Sequence, residues 1–110
     1  MKRYQLKVGK TFYDDHAYRG LVTGEYETPL GIVKETKTHY LLELNEEDAV
    51  ELASDANHYG ESPGDYGQEM FGLCMSARAT FMAVVKQMRA QGYEFSEKQR
   101  RYWGLYWKTL

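Results

Sequence analysis

The sequence predicts an α+β fold: a small antiparallel sheet from the N-terminal third, packed by three or four helices, in one globular domain over residues 1–110. Three observations carry this. Apolar residues alternate at Tyr4, Leu6 and Val8, and residues 32–44 are rich in Thr, Val, Ile, Tyr and Leu, as strands require. From Asn45 onward the apolar spacing changes to the three-and-four rhythm of helices. A content of 43% apolar residues, 15% of the chain being aromatic, supplies a core that 110 residues can close without cross-links.

The first strand ends at Gly9. Thr11 and Asp14 then resemble a capping box with Asp in place of Glu, which predicts a short helix to Tyr18 or Arg19, stopped by Gly20 and supported by an Asp15–Arg19 pair. Residues 20–31 hold Gly20, Gly24, Pro29 and Gly31 and read as loop. Residues 32–44 form either a hairpin turning at 35–38 or one long bulged strand, because no Gly, Asn or Asp is present for a tight two-residue turn.

Asn45 with Asp48 marks the start of the next helix, and Glu46 and Glu47 suit the positive end of its dipole. Ala49, Leu52, Ala53 and Ala56 fall on one inward face, and residues 59–67, with Ser62-Pro63-Gly64-Asp65, read as loop. A long central helix is predicted over about 68–91, with Gly92 as its stop. Its inward stripe is Met70, Cys74, Ala77, Phe81, Val84 and Met88; a second stripe of Phe71, Met75, Met82 and Val85 lies beside it. Together they span about 200° of the helix, where one packing face needs about 100°. The excess predicts a homodimer built on Phe71, Met75, Met82 and Val85. The alternative is cover by the sheet on one side and the aromatic terminal helix on the other. That last helix starts after Ser96, capped with Gln99, and runs to about Lys108.

Charge is distributed unevenly. From Thr38 to Ala77 there is no Lys or Arg, while Glu43, Glu46, Glu47, Asp48, Glu51, Asp55, Glu61, Asp65 and Glu69 are all acidic. From Arg78 onward seven basic residues face only Glu94 and Glu97, so the net charge of -2 conceals an acidic middle and a basic end. Glu47, Glu51 and Asp55 are spaced four apart, and His58 joins their face. This ridge predicts a docking surface for a basic protein partner, with a weak divalent-cation site as a lesser possibility.

Other strings weigh less. The basic and aromatic residues of 98–108 could stack and hold nucleic acid, but Tyr102, Trp103, Tyr106, Trp107 and Leu110 fall within one arc and read as a packing face, so nucleic acid is an unlikely partner. Asp14, Asp15 and His16, with His58, could form a small metal-binding or acid–base centre, although Asp14 and Asp15 both have structural uses. Arg78 falls inside the apolar arc and must snorkel or pair. Cys74, the only cysteine, reads as a buried small hydrophobe, and no internal disulfide can form. No phosphate loop, catalytic triad, signal peptide or membrane-length apolar run is visible, and no cofactor is implied. The expectation is a cytoplasmic, non-catalytic interaction or regulatory protein acting through the acidic surface of about 43–69, as a homodimer. A nucleic-acid-binding protein is the alternative, and a small metal protein or enzyme the third.

Overall fold

The computed structural model describes residues 2–14, 31–61 and 71–103, the side chains of 59–61, 71–74 and 102–103 excepted. The expected end of the first helix, the Asp15–Arg19 pair, most of the 20–31 loop, residues 62–70 and the chain beyond Trp103 lie outside these residues.

The fold is α+β. Strands β1 (Arg3–Gly9), β2 (Ile32–Glu35) and β3 (His39–Asn45) form an antiparallel sheet with β3 in the centre. The register sets Tyr4 opposite Leu44, Leu6 opposite Leu42 and Val8 opposite Tyr40. Because side chains alternate between faces, one face gathers Tyr4, Leu6, Val8, Leu42 and Leu44, all buried. Each contributes roughly 1.5–3 kcal/mol by leaving water. The opposite face carries Arg3, Gln5 and Lys7 across from Asn45, Glu43 and Leu41.

A helical segment, α1, follows β1 directly and is described over residues 10–14. It begins at Lys10, whose N–H bonds to the Thr38 carbonyl at 3.0 Å. Thr11 therefore lies inside the turn instead of capping it, which corrects the capping-box expectation. Phe12 and Tyr13 from this segment enter the core.

Of the two readings for residues 32–44, the hairpin is present. Thr36 makes the turn: its N–H bonds to the His39 carbonyl at 2.9 Å, and its hydroxyl accepts the His39 N–H at 3.1 Å. A threonine side chain thus does the work for which a Gly or Asn was sought. A register shift between Ile32 and Lys34 places a bulge at the edge strand, which is exposed throughout.

Helix α2 (Glu46–Glu61) starts where Asn45 Oδ1 accepts the Asp48 N–H at 2.8 Å. It continues through Tyr59 and Gly60, past the loop boundary expected at 59. A glycine inside a helix costs only about 1 kcal/mol, whereas the strong breaker, Pro63, comes later. Helix α3 (Phe71–Ala90) ends at Gly92, whose φ of 95° is left-handed. The Gly92 N–H bonds to the Arg89 carbonyl at 3.1 Å and the Tyr93 N–H to the Met88 carbonyl at 3.0 Å, closing the helix end. Helix α4 (Glu97–Trp103) begins with the expected reciprocal cap: Ser96 N–H to Gln99 Oε1 at 2.8 Å, and Gln99 N–H to Ser96 Oγ at 3.1 Å.

Helix α3 lies against β1, and α2 packs along α3 while touching β3 and β1. Ala49, Leu52, Ala53 and Ala56 of α2 meet Ala77, Phe81, Val84, Val85 and Met88 of α3 in one core with the sheet. The small alanines allow close approach of the two helices. Where its side chains are described, the apolar arc of α3 is covered within the chain by β1 on one side and by α2 on the other, the exposed Met75 excepted; the terminal-helix aromatics expected as a cover lie outside the described side chains. No described helix is long and apolar enough to cross a membrane.

Candidate interaction surface

The inner face of α2 is fixed by four buried residues, which turns its other side outward. Glu47 and Glu51 are exposed there and Glu46 is exposed at the helix start; none of the three makes an ion pair among the described residues. Asp55 is half-buried and His58 exposed; both are engaged in interactions of their own. The spacing seen in the sequence does place Glu47, Glu51, Asp55 and His58 along one helix side, with the charge concentrated at its N-terminal half. Among the described residues, Lys10 pairs with Glu35 at 2.5 Å, and Arg101 with Glu97 at 2.7 Å one helical turn apart. Neither draws on the α2 carboxylates.

The residues singled out for a dimer fare differently. Val85 is fully buried in the chain's own core, and Met82 packs half-buried against it. Only Met75, at 45% exposure, presents much surface, and the Phe71 side chain lies outside the described residues. Arg78 is half-buried and engaged, as its place in the arc required.

Of the proposed metal or acid–base set, Asp14 accepts a hydrogen bond from the Tyr40 hydroxyl at 2.8 Å. Asp15 and His16 lie outside the described residues. No three His, Cys, Asp or Glu side chains come together in metal-binding proximity among the described residues. The Asp14 bond, aided by burial and by the charges of Asp14 and Glu35, pushes the Tyr40 hydroxyl up to about 12. Lys10 Nζ sits 5.1 Å from the Tyr40 ring centroid and reaches Glu35, and the Tyr13 ring meets Tyr40 edge-on at 5.2 Å. This polar knot ties α1 to the hairpin. It holds Tyr40 protonated, so the phenol is a donor and not a base.

Sequence reasoning missed two features. One is the outer face of the sheet, where Lys7 and Lys34 flank Leu41 in one cross-strand row and Arg3 lies further along β1. Strand alternation could have placed Arg3 and Lys7 together; Lys34 needed the hairpin register. The other is Gln87 and Gln91, four apart beside the buried stripe of α3, which bond to the free edge of β1.

A further cleft of about 330 Å³ is lined by Arg89, Tyr93, Glu94, Phe95 and Arg100. Arg100 Nε and one terminal nitrogen already donate to the Phe95 carbonyl at 3.3 and 3.2 Å, so that guanidinium helps to hold the 93–96 segment. Comparison of the chain with known protein families, with curated proteins and with solved structures finds no match in any of the three.

Proposed function

We propose that this chain is a non-catalytic protein-interaction protein that offers the outer face of α2 to a basic partner. The observation that supports it best is the pair Glu47 and Glu51, with Glu46 beside them at the helix start: exposed, on a helix held by its inner face, and without an ion-pair partner among the described residues. Like charges four apart cost a helix about 0.2–0.5 kcal/mol per pair, and a lysine at either Glu47 or Glu51 would remove that cost. Unneutralised charge on a fixed scaffold attracts and orients an oppositely charged partner, and speeds its encounter at low salt.

The test is retention on immobilised polylysine. Wild type should be held at low salt, and the triple variant Glu46→Gln, Glu47→Gln, Glu51→Gln should be released while its circular dichroism stays unchanged. A control with Glu43→Gln, Glu94→Gln and Glu97→Gln changes net charge equally and should still be held. Equal loss in both triples would reduce the effect to net charge and defeat the reading.

A further inference from the structure

We propose that the outer face of the sheet is a docking surface for the acidic α2 face of a second copy of this chain, giving head-to-tail self-association. The proposal rests on the reading of α2 just given and names its basic partner.

The strand register builds the surface. Lys7 pairs with Leu41, and Leu41 pairs with Lys34, so the three lie in one row across β1, β3 and β2. Directly paired residues share a face, and adjacent strands lie about 4.8 Å apart, so the two lysines flank Leu41 over roughly 10 Å. Arg3, four residues before Lys7 on the same strand, lies on the same face about 13 Å away. Arg3, Lys7 and Lys34 are exposed, and none makes an ion pair among the described residues. Glu43 is the one carboxylate that the register sets among them. The face is therefore basic around a half-buried leucine, while Lys10 of α1 and the hairpin carboxylate Glu35 satisfy each other.

Among the described residues the two charged surfaces do not pair within one molecule. The helices cover the inner face of the sheet, so Arg3, Lys7 and Lys34 point away from the helical layer. Glu47 and Glu51 point away from the core on the far side of α2, with Glu46 exposed at the helix start. Among the described residues neither surface is neutralised within the molecule, and two different patches in contact make a heterologous interface, which propagates into chains or closes into rings. Exposed ion pairs are individually weak and salt-sensitive. The association should accordingly be weak, concentration-dependent and lost at high ionic strength.

Charge reversal tests both patches. Light scattering of the full chain at about 0.01 M salt, where charges are felt over about 30 Å, should show mass rising with concentration; at about 1 M salt, where the range is about 3 Å, the single-chain mass should return. Lys7→Glu with Lys34→Glu makes both patches acidic, and Glu47→Lys with Glu51→Lys makes both basic, so each variant alone should stay monomeric. Mixed in equal amounts, the two variants should associate again. A wild type that stays monomeric at low salt overturns the proposal, as does growth unaffected by Lys7→Glu with Lys34→Glu. A DNA oligonucleotide held by wild type and released by that variant, without growth of mass in its absence, overturns it in favour of a phosphate-binding face. Retention on polylysine with a monomeric wild type leaves the α2 reading standing and removes only the sheet as its partner.

Discussion

Gln87 occupies the place of a neighbouring strand beside Lys7. Its Oε1 accepts the Lys7 N–H at 2.8 Å, and its Nε2 donates to the Lys7 carbonyl at 2.9 Å. One turn on, Gln91 does the same for Gln5, with Oε1 accepting at 2.9 Å and Nε2 donating at 2.8 Å. The second hydrogen of each amide goes to a carbonyl of α3 itself, from Ala83 and Gln87, each at 3.1 Å. The match is geometric: residues two apart on a strand are about 6.6 Å apart, and residues four apart on a helix about 6 Å. The edge of β1, which would otherwise offer unpaired groups to another chain, is closed by side chains.

Gln87→Ala with Gln91→Ala removes all four strand bonds. Water can reach this edge, so the lower part of the usual ~0.5–1.5 kcal/mol per bond applies, and the double variant should lose about 2 kcal/mol. Urea unfolding measures that loss, and hydrogen exchange at the Gln5 and Lys7 amides should accelerate. Gln87→Glu should cost more than Gln87→Leu, since a carboxylate would face the Lys7 carbonyl without a proton to give. Unchanged exchange in the double variant would refute the strand-like role.

Tyr40 predicts an alkaline transition. Its folded pKa lies above the unfolded value of 10.0, at about 12, chiefly because Asp14 accepts the phenolic proton. A raised pKa means that the native state holds the proton more tightly, so this contribution is complete below pH 10.0 and disappears as pH rises towards about 12. Asp14→Ala should bring Tyr40 ionisation back towards its ordinary range, seen as phenolate absorbance at lower pH. Tyr40→Phe should remove that component of the alkaline loss.

Two glycines have different reasons to be glycine. At Gly92, φ is 95°, and Ala there should cost about 1–2 kcal/mol through left-handed strain. At Gly31 the obstacle is space: an added Cβ would lie 2.6 Å from the carbonyl oxygen of Glu43, whose N–H bonds to the Gly31 carbonyl at 2.7 Å. Gly31→Ala should cost about 1–3 kcal/mol by forcing β2 away from β3. Thermal melts of both variants check this, and a stabilised Gly31→Ala would show that the strand yields freely.

Substitutions on α3 separate core from surface. Val85→Glu places a charge in the sealed core and should prevent folding. Met75→Glu, on a side chain 45% exposed, should fold normally. If copies pair across α3, Met75→Glu should abolish a salt-resistant dimer seen by light scattering in wild type. A monomeric wild type at high salt would dispose of that pairing.

Local chemistry alone determined much of this protein. The alternation of Tyr4, Leu6 and Val8, the Asn45 and Ser96 caps, the Gly92 stop and the inward face of α2 act between residues close in the chain, so each is readable from spacing. The acidic side of α2 follows from the same spacing. Tertiary structure decided what depends on residues far apart. It set α2 against the second side of α3, which took Val85 out of reach of any partner. It brought Lys34 into one row with Lys7, and Tyr40 to Asp14. It brought Gln87 and Gln91, 80 and 86 residues from their partners, to the edge of β1. No local preference distinguishes a glutamine that faces water from one that completes a sheet; the difference arises only when packing delivers a strand edge at matching spacing.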